Sequence, residues 1–152
     1  MNRLTQKMRG VTLLEIMLVL AIAALLVVMS VRYYQSTRTS QQVDAMVEQI
    51  QSIVQAADGI AQEQGYSATA VTTSAIGSTL PANAMTSPWG TPITVAVTSA
   101  TTFTITTTNV PAGVCSLLVA KYNQNKNFDT TAISCPSSGN LASFVITYNS
   151  GA

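Results

Sequence analysis

Histidine is absent, cysteine occurs twice, and charged residues make up 9 % of the 152-residue chain, against about 25 % in an average soluble domain. Each shortage excludes something. Without His, a Ser or Cys nucleophile has lost its usual general base. Asp129 is the only acid beyond Glu63, so a paired-carboxylate mechanism lacks material there. Cys115 and Cys135 stand too far apart for a Cys-x-x-Cys redox motif or metal knuckle, and no His completes a ligand set. The net charge of +1 offers no electrostatic case for binding nucleic acid. No enzyme activity, cofactor or metal is therefore expected. Proline is also absent from Ser30-Val31-Arg32-Tyr33-Tyr34, so none kinks a helix there.

Against this background stands one long apolar run. Residues 11–31 contain a single charge, Glu15, and follow a leader carrying Arg3, Lys7 and Arg9. As an α-helix the run would reach about 31 Å, enough to cross a bilayer. The basic residues ahead of it would hold the leader in the cytoplasm and send everything after Arg32 across the membrane. An acid in such a span costs on the order of a few kcal/mol, and the span supplies no cation within helical reach. Glu15 needs a partner from elsewhere. A secretory signal peptide fits poorly, because Ala21-Ile22-Ala23, its small-residue site, falls inside the apolar run. A plain anchor explains the length but not an acid in the first turns behind a glycine.

Lys7-Met8-Arg9-Gly10 followed by Val11-Thr12-Leu13-Leu14-Glu15 resembles the type IV prepilin signature. The resemblance implies that a membrane peptidase cuts between Gly10 and Val11 and that the new N-terminus at Val11 is methylated. Glu15, the fifth mature residue, and Thr12 beside it would then serve assembly. The carboxylate would pair with the α-amine of a neighbouring subunit. An amine of ordinary pKa about 7.7 to 8.0 is charged at neutral pH and needs a counter-ion in an apolar bundle.

Beyond the run, Val43, Met46, Val47, Ile50, Ile53, Val54, Ala57, Ile60 and Ala61 recur at spacings of three and four, with Gln, Asp and Glu between them. One helix is predicted over residues 11–64, stopped by Gly65 and loosened around residues 36–40, where poor helix formers gather. Residues 65–88 read as an irregular connection. Strands are predicted at residues 93–98, 103–108 and 142–148, with a turn over 99–102, and a short helix lies between residues 109 and 123 with Val114, Leu117, Leu118 and Tyr122 inward. In an exported domain, Cys115 and Cys135 would pair as a disulfide, stapling the C-terminal lobe by about 3 kcal/mol on the chain-entropy model.

Pro88-Trp89-Gly90 ahead of the first strand resembles a turn of pilins and pseudopilins, with Trp89 as a packing residue. A helix inserted before the last strand, with Cys at its start, is similar to class b type IV pilins. The resemblance implies an α+β pilin fold: a long N-terminal α-helix packed on a small antiparallel β-sheet, with a disulfide-closed C-terminal lobe. The expected division is a leader at 1–10, a transmembrane and filament-core helix at 11–31, its amphipathic half at 32–64 and an extracytoplasmic domain at 65–152. The implied function is that of a pilus subunit, held in the bacterial inner membrane and polymerised into a homo-oligomeric surface filament. Its implied partners are the prepilin peptidase, the assembly ATPase and the inner-membrane platform. Adhesion, self-association, DNA uptake or motility would be properties of the filament surface. A minor pilin or a type II secretion pseudopilin is the alternative. A single Asp129 is little material for the calcium site of major pseudopilins, which takes about six to eight oxygen ligands.

Overall fold

The computed structural model describes residues 12–131, 133, 135 and 141–151. It forms two compact units, residues 1–38 and 39–152, which divide within the first helix. Helix α1 spans Leu13–Gln64. Residues 36–40 are helical, contrary to the loosening expected there. Thr37 is accommodated by donating its hydroxyl to the Tyr33 carbonyl at 3.0 Å, so the polar side chain bonds back along the helix instead of competing with it. The helix stops at Gly65, whose φ of +73° is the left-handed conformation glycine adopts freely. Its N–H closes the last turn on the Ala61 carbonyl at 2.7 Å.

In the second unit, α1 buries Val43, Met46, Val47, Ile50, Ile53, Val54 and Ala57 along one stripe. Full burial of such a side chain contributes about 1.5 to 3 kcal/mol. Facing that core is an antiparallel sheet of β1 (Ile93–Ser99), β2 (Thr102–Val110), β3 (Phe128–Asp129) and β4 (Ala142–Asn149), in the order β1-β2-β4-β3. Alternation sets the buried face, and Ile93, Val95, Phe103, Ile105, Phe144 and Ile146 all point inward. Between Thr107 and Val110 the β2–β4 register slips by one residue. Asn109, with φ of 59°, sits in that bulge, a conformation its short polar side chain tolerates.

Helix α2 (Thr73–Thr79) lies where an irregular connection was expected. Its seven residues are too few for a periodic signal. The helix is held by Thr72, which caps the Ala75 N–H, and by complete burial of Ile76. Helix α3 covers Ala112–Tyr122 and begins behind Pro111. Leu117, expected inward, is 46 % exposed. The inward face carries Val114, Cys115, Leu118 and Tyr122 instead, and at about 100° per residue Leu117 falls well outside that arc. The two-residue β3 was also not anticipated. It exists because β4 offers an edge at Thr147 and Tyr148, which pair with Asp129 and Phe128.

Candidate functional site: the apolar N-terminal helix

The candidate site is built on the first turns of α1. Thr12 precedes the helix and works as its cap: the Glu15 N–H reaches the Thr12 hydroxyl at 3.3 Å and the Thr12 carbonyl at 3.0 Å, while Ile16 N–H closes on the same carbonyl at 3.2 Å. Thr12-Leu13-Leu14-Glu15 thus has the Thr-x-x-Glu spacing of a capping box, and the carboxylate sits in the first turn, where the helix dipole favours an anion. Thr12, expected to serve assembly beside Glu15, has this capping role in the structure, and the Thr-x-x-Glu spacing is the sequence signal for it. Gly10 and Val11, the expected cleavage pair, lie outside the described residues.

Around Glu15 the helix is apolar on every side. Leu13, Leu14, Met17, Leu20, Leu25, Leu26 and Met29 are each more than half exposed. Among the described residues α1 is the one helix long and apolar enough to cross a membrane. Exposed apolar surface of this extent marks a segment that packs against lipid or other apolar helices. No hydrogen bond or ion pair joins the Glu15 carboxylate to a cation among the described residues. What the arrangement can do is pack against apolar neighbours and offer one carboxylate to a cation they bring.

In the second unit, the cysteines expected to pair do so. Cys115 on α3 and Cys135 are joined as a disulfide with Cα atoms 5.8 Å apart. A chain of rings continues from this lobe into the core: Tyr122 on Phe128, Phe128 on Tyr148, Tyr148 on Phe103, and Phe103 on Tyr66. Tyr66 and Tyr148 both donate to Asp58 on α1, Tyr148 at 3.4 Å and Tyr66 in closer contact. Burial, then the Asp58 charge and hydrogen bonds, push both phenols up from their ordinary pKa. Burial alone does so for Tyr122, whose hydroxyl has no hydrogen-bond partner among the described residues. Asp129 is held below the usual carboxylate range by the Thr131 hydroxyl and N–H. Trp89 is half-buried and donates to the Thr108 carbonyl at 2.9 Å, which fixes the turn at Gly90 against β2. No group of three or more Cys, Asp or Glu capable of holding a metal occurs among the described residues.

An apolar helix with an acid in its first turn, continuing into an amphipathic half under an antiparallel sheet, with a disulfide-closed lobe, defines a pilin. Residues 33–143 match the family model described as PilS N terminal, and residues 5–31 match the prokaryotic N-terminal methylation motif. The first match covers more than half of the chain, which therefore belongs to that family and is a type IV pilin. No curated protein was found to match it.

Proposed function

We propose that the protein is the structural subunit of a type IV pilus of class b type. It waits in the inner membrane as a precursor, is cut between Gly10 and Val11, is methylated at Val11, and is polymerised through α1 into an extracellular filament. The observation that carries this reading is the apolar run with Glu15 as its sole charge, set directly behind Arg9-Gly10. A membrane span alone has no use for that carboxylate. A filament of parallel α1 helices does, because each incoming Glu15 can neutralise the α-amine at Val11 of a subunit already in place, and the two charges leave water together. The assembly ATPase and the inner-membrane platform would supply the work of extraction from lipid. Adhesion or self-association would then belong to the exposed face of the second unit.

Mass spectrometry of filaments sheared from the cell surface tests this in one measurement. The expected result is this chain as the dominant component, beginning at an N-methylated Val11. A native N-terminus at Met1, or near Ala24 as a signal peptidase would leave, overturns the processing. A trace amount in an otherwise abundant filament would make it a minor subunit.

A further inference from the structure

A groove runs along the second unit between α1 and the chain that follows α2. Two adjoining hollows of about 540 and 390 Å³ make it up, with Ser52 common to both. Its floor is a single stripe of α1, with Ala45, Ser52, Ala56 and Gly59 small and Glu48 and Glu63 toward its ends. Leu80 and Pro81 form the opposite wall. Along the helix the stripe covers about 27 Å at roughly 1.5 Å per residue. A Cβ added at Gly59 would meet nothing within 4 Å, so packing within the subunit does not require glycine there. A glycine inside a helix is less favourable than Ala, and its effect here is to keep the wider end of the groove open beside Glu63.

The charges of this unit are segregated. Lys121 pairs with Asp44 at 2.8 Å, Asp58 is taken by two tyrosines, and Asp129 is turned onto Thr131. That leaves Glu48 and Glu63 on the groove side and Lys126 elsewhere, without ion-pair partners among the described residues. The groove lies toward the β1 edge, since α2 is tied to Val95 through Thr73 and Met85 to Ile93. Lys126 stands just before β3, at the opposite edge of the sheet. Its turn is stiff: Asn125 N–H bonds the Tyr122 carbonyl at 2.9 Å, Asn127 N–H the Asn125 side chain at 3.2 Å, and Asn149 N–H the Asn127 carbonyl at 2.8 Å. A stiff exposed turn loses little freedom on docking.

We infer that in the filament the α3–β3 turn of one subunit seats in the α1–α2 groove of the next, with Lys126 on Glu63. The inference rests on the filament reading above and names the surface through which the globular units meet. Placing two grooves face to face would oppose carboxylate to carboxylate, so a two-fold dimer is disfavoured. A contact joining opposite edges of the sheet is heterologous, and repeated without closing it makes a helical array. It is also continuous with α1, the element that polymerises.

Filaments assembled from a mixture of light and heavy isotope-labelled subunits, treated with a zero-length carbodiimide, test it directly. Peptides joining Lys126 of one label to Glu63 of the other are expected. The Lys121–Asp44 link, within one label, serves as the internal control. Recovery of the control link with Lys126 joined to another carboxylate, or to none, overturns the inference. As an independent arm, Lys126→Glu should lower filament yield about two- to fivefold, the range for one exposed ion pair, and adding Glu63→Lys in the same chain should restore it. Unaltered yield in the single variant, or no rescue in the double, also overturns it. Absence of filaments from wild-type cells would instead remove the filament reading itself, and this contact with it.

Discussion

Two residues separate electrostatics from packing most cleanly. Glu15→Val makes the span more apolar, so membrane insertion and cleavage after Gly10 should persist, and an anchor would not be harmed. Assembly should fail, because truncating one member of a buried ion pair costs about 3 to 5 kcal/mol. Electron microscopy of sheared fractions, beside immunoblots of processed subunit, reads both halves of this expectation, and abundant filaments of the variant would refute the role of the carboxylate. Tyr122 tests the lobe. Its phenol is raised by burial, so the folded state keeps a proton that the unfolded chain loses near the ordinary value of about 10. Stability is therefore intact below that pH and falls as pH rises above it, by up to about 1.4 kcal/mol per unit for one such group. Tyr122→Phe should be within about 1 kcal/mol of wild type at neutral pH, since the hydroxyl it removes is buried and unpaired among the described residues. Above pH 10 it should fall less steeply. Denaturant unfolding of the full chain in detergent, followed by fluorescence of the single Trp89, measures both. Equal alkaline slopes would exclude Tyr122 as the titrating group.

At the scale of elements, the edge of the sheet shows how a short helix earns its place. In β1 the odd positions present their N–H and carbonyl away from β2, an exposed template for pairing with another chain. Thr73 of α2 blocks it: the Val95 N–H donates to the Thr73 hydroxyl at 2.9 Å, and that hydroxyl donates to the Val95 carbonyl at 3.1 Å. Ile93 N–H is taken by the Met85 carbonyl at 2.8 Å. Thr73→Val keeps the shape and removes both bonds. It should destabilise the second unit by about 1 to 3 kcal/mol and raise non-filamentous self-association, measured by unfolding and by light scattering in detergent. Unchanged stability would show that water replaces the hydroxyl without loss. The disulfide acts on a different term. It ties α3 to the segment before β4, and its effect of about 3 kcal/mol falls on the unfolded chain.

For the whole molecule, the proposed function asks the same segment to be a membrane span before cleavage and a polymer core after it. On that reading the switch between these states is chemical, since cutting after Gly10 would create the amine that Glu15 is proposed to neutralise. Gly10→Val places a side chain at the peptidase junction, and the expected outcome is full-length precursor accumulating in the membrane fraction, with no filaments. Normal cleavage of that variant, read by intact mass, would remove glycine from the requirement.

How much of this was legible in the sequence differs from one element to the next. The apolar run, Glu15 within it, the stripe from Val43 to Ala57, the Gly65 stop and three strands follow from periods of 3.6 and 2 and from the dihedral freedom of glycine, all local rules that sequence alone carries. Thr12 as a cap was legible too, in the Thr-x-x-Glu spacing. Other features depended on tertiary context. Helix α2 is too short for periodicity and exists because Ile76 has a core to enter and Thr73 a strand edge to cover. Strand β3 exists because β4 offers free groups beside it. Leu117 faces out because α3 turns Val114 and Leu118 toward the core, a choice that four apolar residues on a short helix leave open. Residues 36–40 remain helical because cooperativity across 52 residues outweighs weak local propensities. Sequence by itself determined which segments are apolar, where a charge interrupts them and that residues 5–31 carry the N-terminal methylation motif. Only tertiary structure decided which faces meet and which charges are left over, because burial and pairing depend on neighbours distant along the chain.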